Sequence, residues 1–257
     1  MQTLQPASLQ PSLLPKQKAF LIDVMSKKQK RTFTVLVTAW VGALAFFWQW
    51  WLQAEHILSW LDMLIISLIV AWQTVVPGYY FYFVSRMKRF NPAIKIPTDW
   101  RVAMVVTKAP SEPWSLVKKT IEAVLAQTYP HDVWLADESP QPETIEWCKA
   151  HGVKLSSREG IEAYHRPTWP RRTRCKEGNL AYFYDIYGYD RYDIVVQLDA
   201  DHVPEANYLE EMIRPFVNPA VGYVAAPSIC DANAHASWVV NARAFAEGSM
   251  HGSLQAG

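Results

Sequence analysis

Two uncharged hydrophobic stretches stand near the start of the chain. The first, residues 33–52, reads FTVLVTAWVGALAFFWQWWL, and the second, residues 63–84, reads MLIISLIVAWQTVVPGYYFYFV. Each has about the 20 apolar residues that a helix needs to cross a bilayer core. Neither has the polar face that a helix on the surface of a soluble protein presents to water. The pattern predicts two transmembrane helices that form a hairpin, residues 33–85.

The charges that flank these stretches predict the orientation of the hairpin. Basic runs lie on both outer sides, KKQKR at residues 27–31 and RMKR at residues 86–89, whereas the connection, residues 53–62, has no Lys or Arg. Basic residues stay on the cytoplasmic side of a membrane. Both ends of the hairpin are therefore expected in the cytoplasm, in a multi-pass protein of the cell (inner or plasma) membrane.

The segment before the hairpin, residues 1–32, begins with a sequence rich in Gln, Pro and Ser. Such a composition favours disorder. Residues 13–25 also suit a short amphipathic helix on the membrane surface. A disordered tail and an interfacial helix are both compatible with the sequence, and the segment is expected to be cytoplasmic in either case.

After a linker, residues 86–98, the pattern changes to short apolar runs that alternate with stretches of helical spacing. The runs typical of buried strands are residues 101–107, 132–136 and 194–198. The stretches of helical spacing or composition are residues 116–127, 144–151 and 180–187. Strands separated by helices predict a mainly parallel sheet with covered faces. The fold class expected for residues 99–257 is therefore α/β.

Polar residues stand where the predicted strands end. Thr107 closes the first strand, Asp137 follows the second, and Asp199 and Asp201 follow the strand that ends in IVVQL. Ligands of parallel α/β sheets bind beyond the carboxyl ends of the strands, so these four side chains are expected at one edge. Hard cations such as Mg²⁺ share their coordination between one or two carboxylates and substrate phosphates. The aspartate pair therefore suggests a site for a metal ion and a diphosphate.

A basic segment offers the second half of such a site. Residues 171–179 read RRTRCKEGN and are followed by an apolar stretch of helical length. Backbone amides at the start of a helix and basic side chains both bind anionic oxygen. Taken alone, the segment fits a charged surface loop equally well. Together with the acidic strand ends, it favours diphosphate binding.

Charge and cysteine content restrict the partners. The chain has 25 basic and 24 acidic residues and a net charge of +1, which argues against nucleic acid as the main partner. Its three cysteines, Cys148, Cys175 and Cys230, form no C-x-x-C pair. This usage predicts a reducing compartment and argues against a zinc site.

Three motifs carry a resemblance to a known family. AQTYPHDVWLADES, KEGNLA and VVQLDADHVP follow one another within residues 99–230. Together they resemble the inverting glycosyltransferases of family 2, in the membrane-embedded, cellulose-synthase-like branch. The resemblance implies a GT-A fold in residues 99–257. It also implies sugar transfer from a nucleotide diphosphate, of the UDP-sugar type, with Mg²⁺ or Mn²⁺, to a glycan or lipid acceptor in polysaccharide or glycan synthesis.

The resemblance also implies roles for single residues. Asp137 would hold the base or ribose of the nucleotide, with Glu138 in place of the usual second aspartate, and Thr107 matches the end of the first strand. Glu112 would be the nucleotide-contacting acid, in TKAPSE where the family has T-Y-N-E. The K-x-G-N element beside the donor corresponds to Lys176, Gly178 and Asn179. The D-x-D-H element, whose second aspartate contacts the metal ion, corresponds to Asp199, Asp201 and His202.

Two motifs of the family do not occur in the sequence. These are the T-E-D or E-D motif with the general base and the acceptor-side Q-x-x-R-W motif. Inverting transfer needs a base within hydrogen-bond reach of the acceptor hydroxyl. The base is therefore expected downstream of Gly257, and this chain is expected to hold the donor-binding half. The alternative is a non-catalytic membrane protein with a nucleotide-binding GT-A-like domain, whereas the hairpin disfavours a soluble metal-dependent hydrolase.

Overall fold

The computed structural model describes residues 20–229 and 232–254. These residues form two compact units. One unit takes the described residues up to Asn91 and those from Pro227 on, and the other is Pro92–Ala226. The predicted linker, residues 86–98, is thus divided between the units. The domain expected over residues 99–257 overlaps the second unit as far as Ala226.

Two long helices, α1 (Lys27–Trp51) and α2 (Trp60–Arg86), dominate the first unit. With 25 and 27 residues, both are long and apolar enough to span a membrane. They begin before the uncharged stretches because Ser26 and Ser59 cap their first turns, and because the basic residues that follow Ser26 are good helix formers. The two predicted helices are therefore present, with longer bounds.

The surfaces of α1 and α2 are largely uncovered by protein. Among the described residues, α1 has no buried side chain and α2 has only Met63. Phe46 and Trp72 are 73% and 70% exposed. The helices touch through aromatic rings, for example Trp40 against Phe81 with ring centroids 5.2 Å apart. A core helix of a soluble protein would instead be mostly buried.

Two short strands join the ends of the helices. These are β1 (Leu21–Asp23) and β2 (Lys88–Phe90), which pair antiparallel with Leu21 opposite Phe90. The expectation of a disordered or amphipathic segment over residues 1–32 is therefore wrong for residues 20–32, which contain β1 and the start of α1. Three-residue strands are too short to leave a periodic pattern in the sequence. Residues 1–19 lie outside the described part of the chain.

The second unit contains a four-stranded parallel sheet in the order β5-β4-β3-β6. Its strands are β3 (Val102–Lys108), β4 (Asp132–Asp137), β5 (Lys154–Ser157) and β6 (Ile194–Asp199). The predicted α/β class with a parallel sheet is confirmed. β5 was not predicted because its sequence, KLSS, has a single apolar residue.

Helices cover both faces of this sheet. They are α3 (Trp114–Leu125), α4 (Pro142–Ala150), α5 (Lys176–Phe183), α6 (Tyr189–Arg191) and α7 (Tyr208–Ile213). Met104 of β3 packs in one buried cluster with Ile121 of α3, and Val105 packs in another with Phe183 of α5. Both faces of the central strand are therefore buried. A last helix, α8 (Trp238–Ser249), belongs to the first unit.

Candidate functional site

All four parallel strands end at the same edge of the sheet. Thr107 of β3 pairs with Asp199 of β6, and Lys108 pairs with Asp137 of β4. The predicted convergence of strand ends is therefore present. The side chains differ in exposure, because Asp199 is 49% exposed whereas Thr107 and Asp137 are each 2% exposed. Thr107 donates a hydrogen bond to the carbonyl of Leu198, 3.3 Å away, and so helps to hold β3 against β6.

Asp199, Asp201 and His202 form the candidate metal cluster. One ligand atom from each lies within 4.8 Å of the others. Ala200 is fully buried, and its carbonyl accepts a hydrogen bond from Thr120, 2.7 Å away. The two aspartates flank this buried residue and are both exposed. Atoms bound to one Mg²⁺ at about 2.1 Å lie at most about 4.2 Å apart, so small rotations of these exposed side chains suffice. The two carboxylates suit a hard divalent cation such as Mg²⁺ or Mn²⁺, whereas the imidazole is a ligand that softer transition metals prefer.

Lys176, the first residue of α5, bridges two acidic side chains beside this cluster. Its Nζ lies 2.8 Å from Glu112 Oε1 and 3.2 Å from Asp199 Oδ1. Burial works against the ammonium form, but the hydrogen bonds and charges of the two carboxylates outweigh it and hold the pKa of Lys176 above its ordinary value. Glu112 is itself oriented by the amide of Ala109, which donates to Oε2 at 2.7 Å. Lys176 therefore keeps its positive charge next to Asp199.

Asn179 is buried, and its amide group is engaged within the protein. Its Nδ2 donates to the carbonyls of Lys108 at 2.9 Å and of Ala136 at 3.3 Å. Its Oδ1 accepts from Nε of Arg158 at 2.6 Å. Both amide protons are thus used, so Asn179 ties α5 to the ends of β3 and β4. The contact with a nucleotide sugar that the resemblance implies for Asn179 stays a prediction.

Gly178 is a glycine for a steric reason. A Cβ atom there would collide with the guanidinium of Arg158 and would lie 2.5 Å from the carbonyl oxygen of Arg172. Real Cβ atoms essentially never approach other atoms so closely. The glycine therefore lets the first turn of α5 pack directly on Arg158. Its described contacts are those of packing, and the place beside the donor that the resemblance implies stays a prediction.

Arg158 is a fully buried arginine that the sequence did not indicate. Its guanidinium donates to Asn179, to Glu138 Oε2 at 2.9 Å, and to the carbonyls of Tyr164 and Cys175. Burial lowers the pKa of Arg158 from its ordinary value, against the opposing charge of Glu138. Glu138 thus compensates the buried cation. An arginine in a polar run such as SSREG ordinarily indicates an exposed turn, and no other sequence signal distinguishes it.

The two acids after β4 have different surroundings. Glu138 also accepts a hydrogen bond from the amide of Arg174, at 2.7 Å, and Arg174 has a left-handed backbone with φ 53°. Asp137 Oδ1 accepts from the Ser139 amide, and Oδ2 lies 3.1 Å from Lys108 Nζ. This Oδ2 has no aligned hydrogen-bond donor among the described residues. Glu138 therefore fixes the loop before α5, whereas Asp137 forms a buried ion pair with Lys108 at the edge.

No protein-family model matches the chain, and no curated protein matches it at a significant level. The structure shows the fold class without a family: an α/β protein with a parallel sheet and with two helices apolar enough to span a membrane. At the carboxyl edge of that sheet, the carboxylates and imidazole of the candidate metal cluster lie beside the ammonium of Lys176. Function is inferred from this edge and from the motifs.

Proposed function

We propose that this protein is a membrane-bound inverting glycosyltransferase of the GT-A type, similar to family 2. Its donor would be a nucleotide-diphosphate sugar of the UDP-sugar type, bound with Mg²⁺ or Mn²⁺. The observation that carries the proposal is the cluster of Asp199, Asp201 and His202 at the carboxyl edge of a parallel sheet, next to Lys176. Ligands of such sheets bind at this edge, and carboxylates with a nearby cation suit a metal-bound diphosphate.

The residues at the edge have distinct tasks in this proposal. Asp199 and Asp201 would hold a divalent cation, which stabilises the negative charge of the departing diphosphate. Lys176 offers its ammonium protons to a diphosphate oxygen, and Glu112 orients it. Asp137, to which the resemblance gives the base or ribose of the nucleotide, lies buried at this edge, 3.1 Å from the ammonium of Lys108. The remaining predicted residues are engaged within the protein and hold the edge in shape, and the donor contacts that the resemblance implies for them stay a prediction: Thr107, Glu138, Gly178 and Asn179.

The acceptor hydroxyl must lose its proton as it attacks the sugar, which requires a general base. The proposal assigns none of the described residues to this base or to the contacts with a glycan or lipid acceptor. Donor binding is therefore the part of the activity that the described residues support. Transfer of labelled sugar into a glycan would distinguish the enzyme from a protein that only binds nucleotides.

The donor site is expected to fail when Asp201 becomes Asn. The amide is uncharged and a weaker metal ligand, so Mn²⁺-dependent binding of UDP should weaken by at least about tenfold, or 1.4 kcal/mol. Isothermal titration of UDP with and without Mn²⁺ measures this. Asp190→Asn, on an exposed position of α6, is the matched control and should bind as the wild type does. Equal affinities of the wild type and Asp201→Asn would mean that the D-x-D is only a surface turn.

We also propose a multi-pass arrangement in the cell membrane, with both ends of the hairpin in the cytoplasm. Single cysteines at Thr3 and Asp201, in a chain whose three native cysteines are replaced by alanine, should resist an impermeant thiol reagent in intact cells. A cysteine at Leu58, exposed in the connection between α1 and α2, should react. Labelling of Thr3→Cys or Asp201→Cys from outside would exclude this topology.

A further inference from the structure

The ammonium of Lys176 stands where positive charge is scarce. Three carboxylates, those of Glu112, Asp199 and Asp201, lie around the candidate metal cluster, and Lys176 contacts the first two. Asp201 is 59% exposed, and its closest described basic atom is Nε2 of His202 at 3.8 Å. A single ammonium leaves this group of side chains with an excess of negative charge. The ammonium of Lys176 neutralises part of this negative charge, and a divalent cation would neutralise the rest.

Lys176 and a divalent cation compete for Asp199. The Oδ1 atom of Asp199 already lies 3.2 Å from the ammonium. A cation that binds the same carboxylate would stand a few ångströms from Nζ, where two positive charges repel each other. Lys176 has a second partner, because Glu112 holds it at 2.8 Å. It therefore has to release only one of its two ion pairs.

We infer that the ammonium of Lys176 pairs with Asp199 until the metal ion binds, and that it then leaves Asp199 and contacts the diphosphate. This inference rests on the proposed function, since it concerns the control of the same site. The ammonium carries three donor protons. The N–H of Lys176 that no longer donates to Asp199 becomes available to a phosphate oxygen, while Glu112 keeps the side chain at the edge.

The exchange couples the two ligands. Metal binding alone costs the Lys176–Asp199 ion pair, whereas metal binding with a diphosphate replaces that pair by a contact with phosphate. Each ligand therefore raises the affinity for the other by the same factor. The protein disfavours the metal in the absence of the nucleotide and admits both together.

Lys176→Met tests this exchange, because methionine keeps much of the side-chain length and removes the charge. Mn²⁺ affinity without nucleotide, measured by electron paramagnetic resonance of free Mn²⁺, should rise by about fivefold, as the loss of a partly exposed competing ion pair allows. UDP affinity at saturating Mn²⁺ should fall by about tenfold, because a charge-assisted hydrogen bond is lost. Lys149→Met, at an exposed position of α4, should change neither.

The inference expects Lys176→Met to raise the affinity for Mn²⁺ and to lower the affinity for UDP, and these opposite changes separate it from simpler explanations. A structural role of Lys176 would lower both affinities, and that result overturns the inference. Unchanged or weaker Mn²⁺ binding by Lys176→Met, with Mn²⁺ and UDP bound by the wild type, overturns it as well but leaves the proposed donor site standing. A wild-type chain that binds neither Mn²⁺ nor UDP in the presence of the other overturns the proposed function itself.

Discussion

Arg158→Met is expected to destabilise the unit Pro92–Ala226 by about 3–5 kcal/mol, the usual cost of removing one partner of a buried ion pair. Methionine fills part of the volume, but Glu138 keeps its charge in a site where it is 8% exposed. Asn179 Oδ1 also loses its donor. For a unit of this size, the midpoint of thermal unfolding in detergent should fall by about 10 °C.

Two further variants sharpen this test. Arg172 is 50% exposed and pairs with Glu177, so Arg172→Met should change stability by no more than about 0.5 kcal/mol. Adding Glu138→Gln to Arg158→Met removes the uncompensated charge and should restore part of the lost stability. A double variant that is destabilised by the full sum of the single changes would show that the two side chains act independently.

Gly178→Ala is expected to destabilise the same unit by about 2 kcal/mol, as overpacking of a filled interior does. Helix propensity alone predicts the opposite, a gain of about 0.5–1 kcal/mol. The steric term prevails because the new methyl group meets Arg158, which several hydrogen bonds hold in place, and the backbone of Arg172. Denaturant unfolding followed by tryptophan fluorescence measures the difference.

The control for this change is Gly222→Ala in the same unit. An added Cβ there meets no atom within 4 Å, so its stability should match the wild type within about 0.5 kcal/mol. If Gly178→Ala proves as stable as Gly222→Ala, the close approach of α5 to Arg158 is not a constraint. The two glycines differ in their surroundings and not in the strain of their backbones.

The elements that the sequence predicted are those with a strong local pattern. β3 is apolar over most of its length and all seven of its residues are buried, and α1 and α2 contain long uncharged stretches rich in apolar residues. β5 and the β1–β2 pair lack such a pattern, since their stability comes from partners that are remote in sequence. Four-residue and three-residue strands carry too few positions to show a period.

In the site, too, the residues that follow a strong local pattern could be predicted, whereas contacts between residues remote in sequence could not. Asp199 and Asp201 were identified because a short apolar run directly precedes them. The K-E-G-N motif draws attention to Asn179 and Gly178, but the sequence does not contain their burial, and the contacts described for them lie within the protein. Arg158 was missed because a charged residue is expected at the surface. Only the folded chain brings Glu138 and Asn179 around it.

The two carbonyls that accept hydrogen bonds from Asn179 belong to adjacent strands. The contacts of this one side chain therefore depend on the register between β3 and β4. Its donors meet Lys108 at the end of β3 and Ala136 at the end of β4. A slip of one residue between these strands would displace one carbonyl by about 3.3 Å and turn a whole row of side chains to the opposite face. Only one alignment presents both carbonyls to a single amide group. Asn179, the last residue of K-E-G-N, therefore favours the native register of β3 and β4 over registers shifted by one residue.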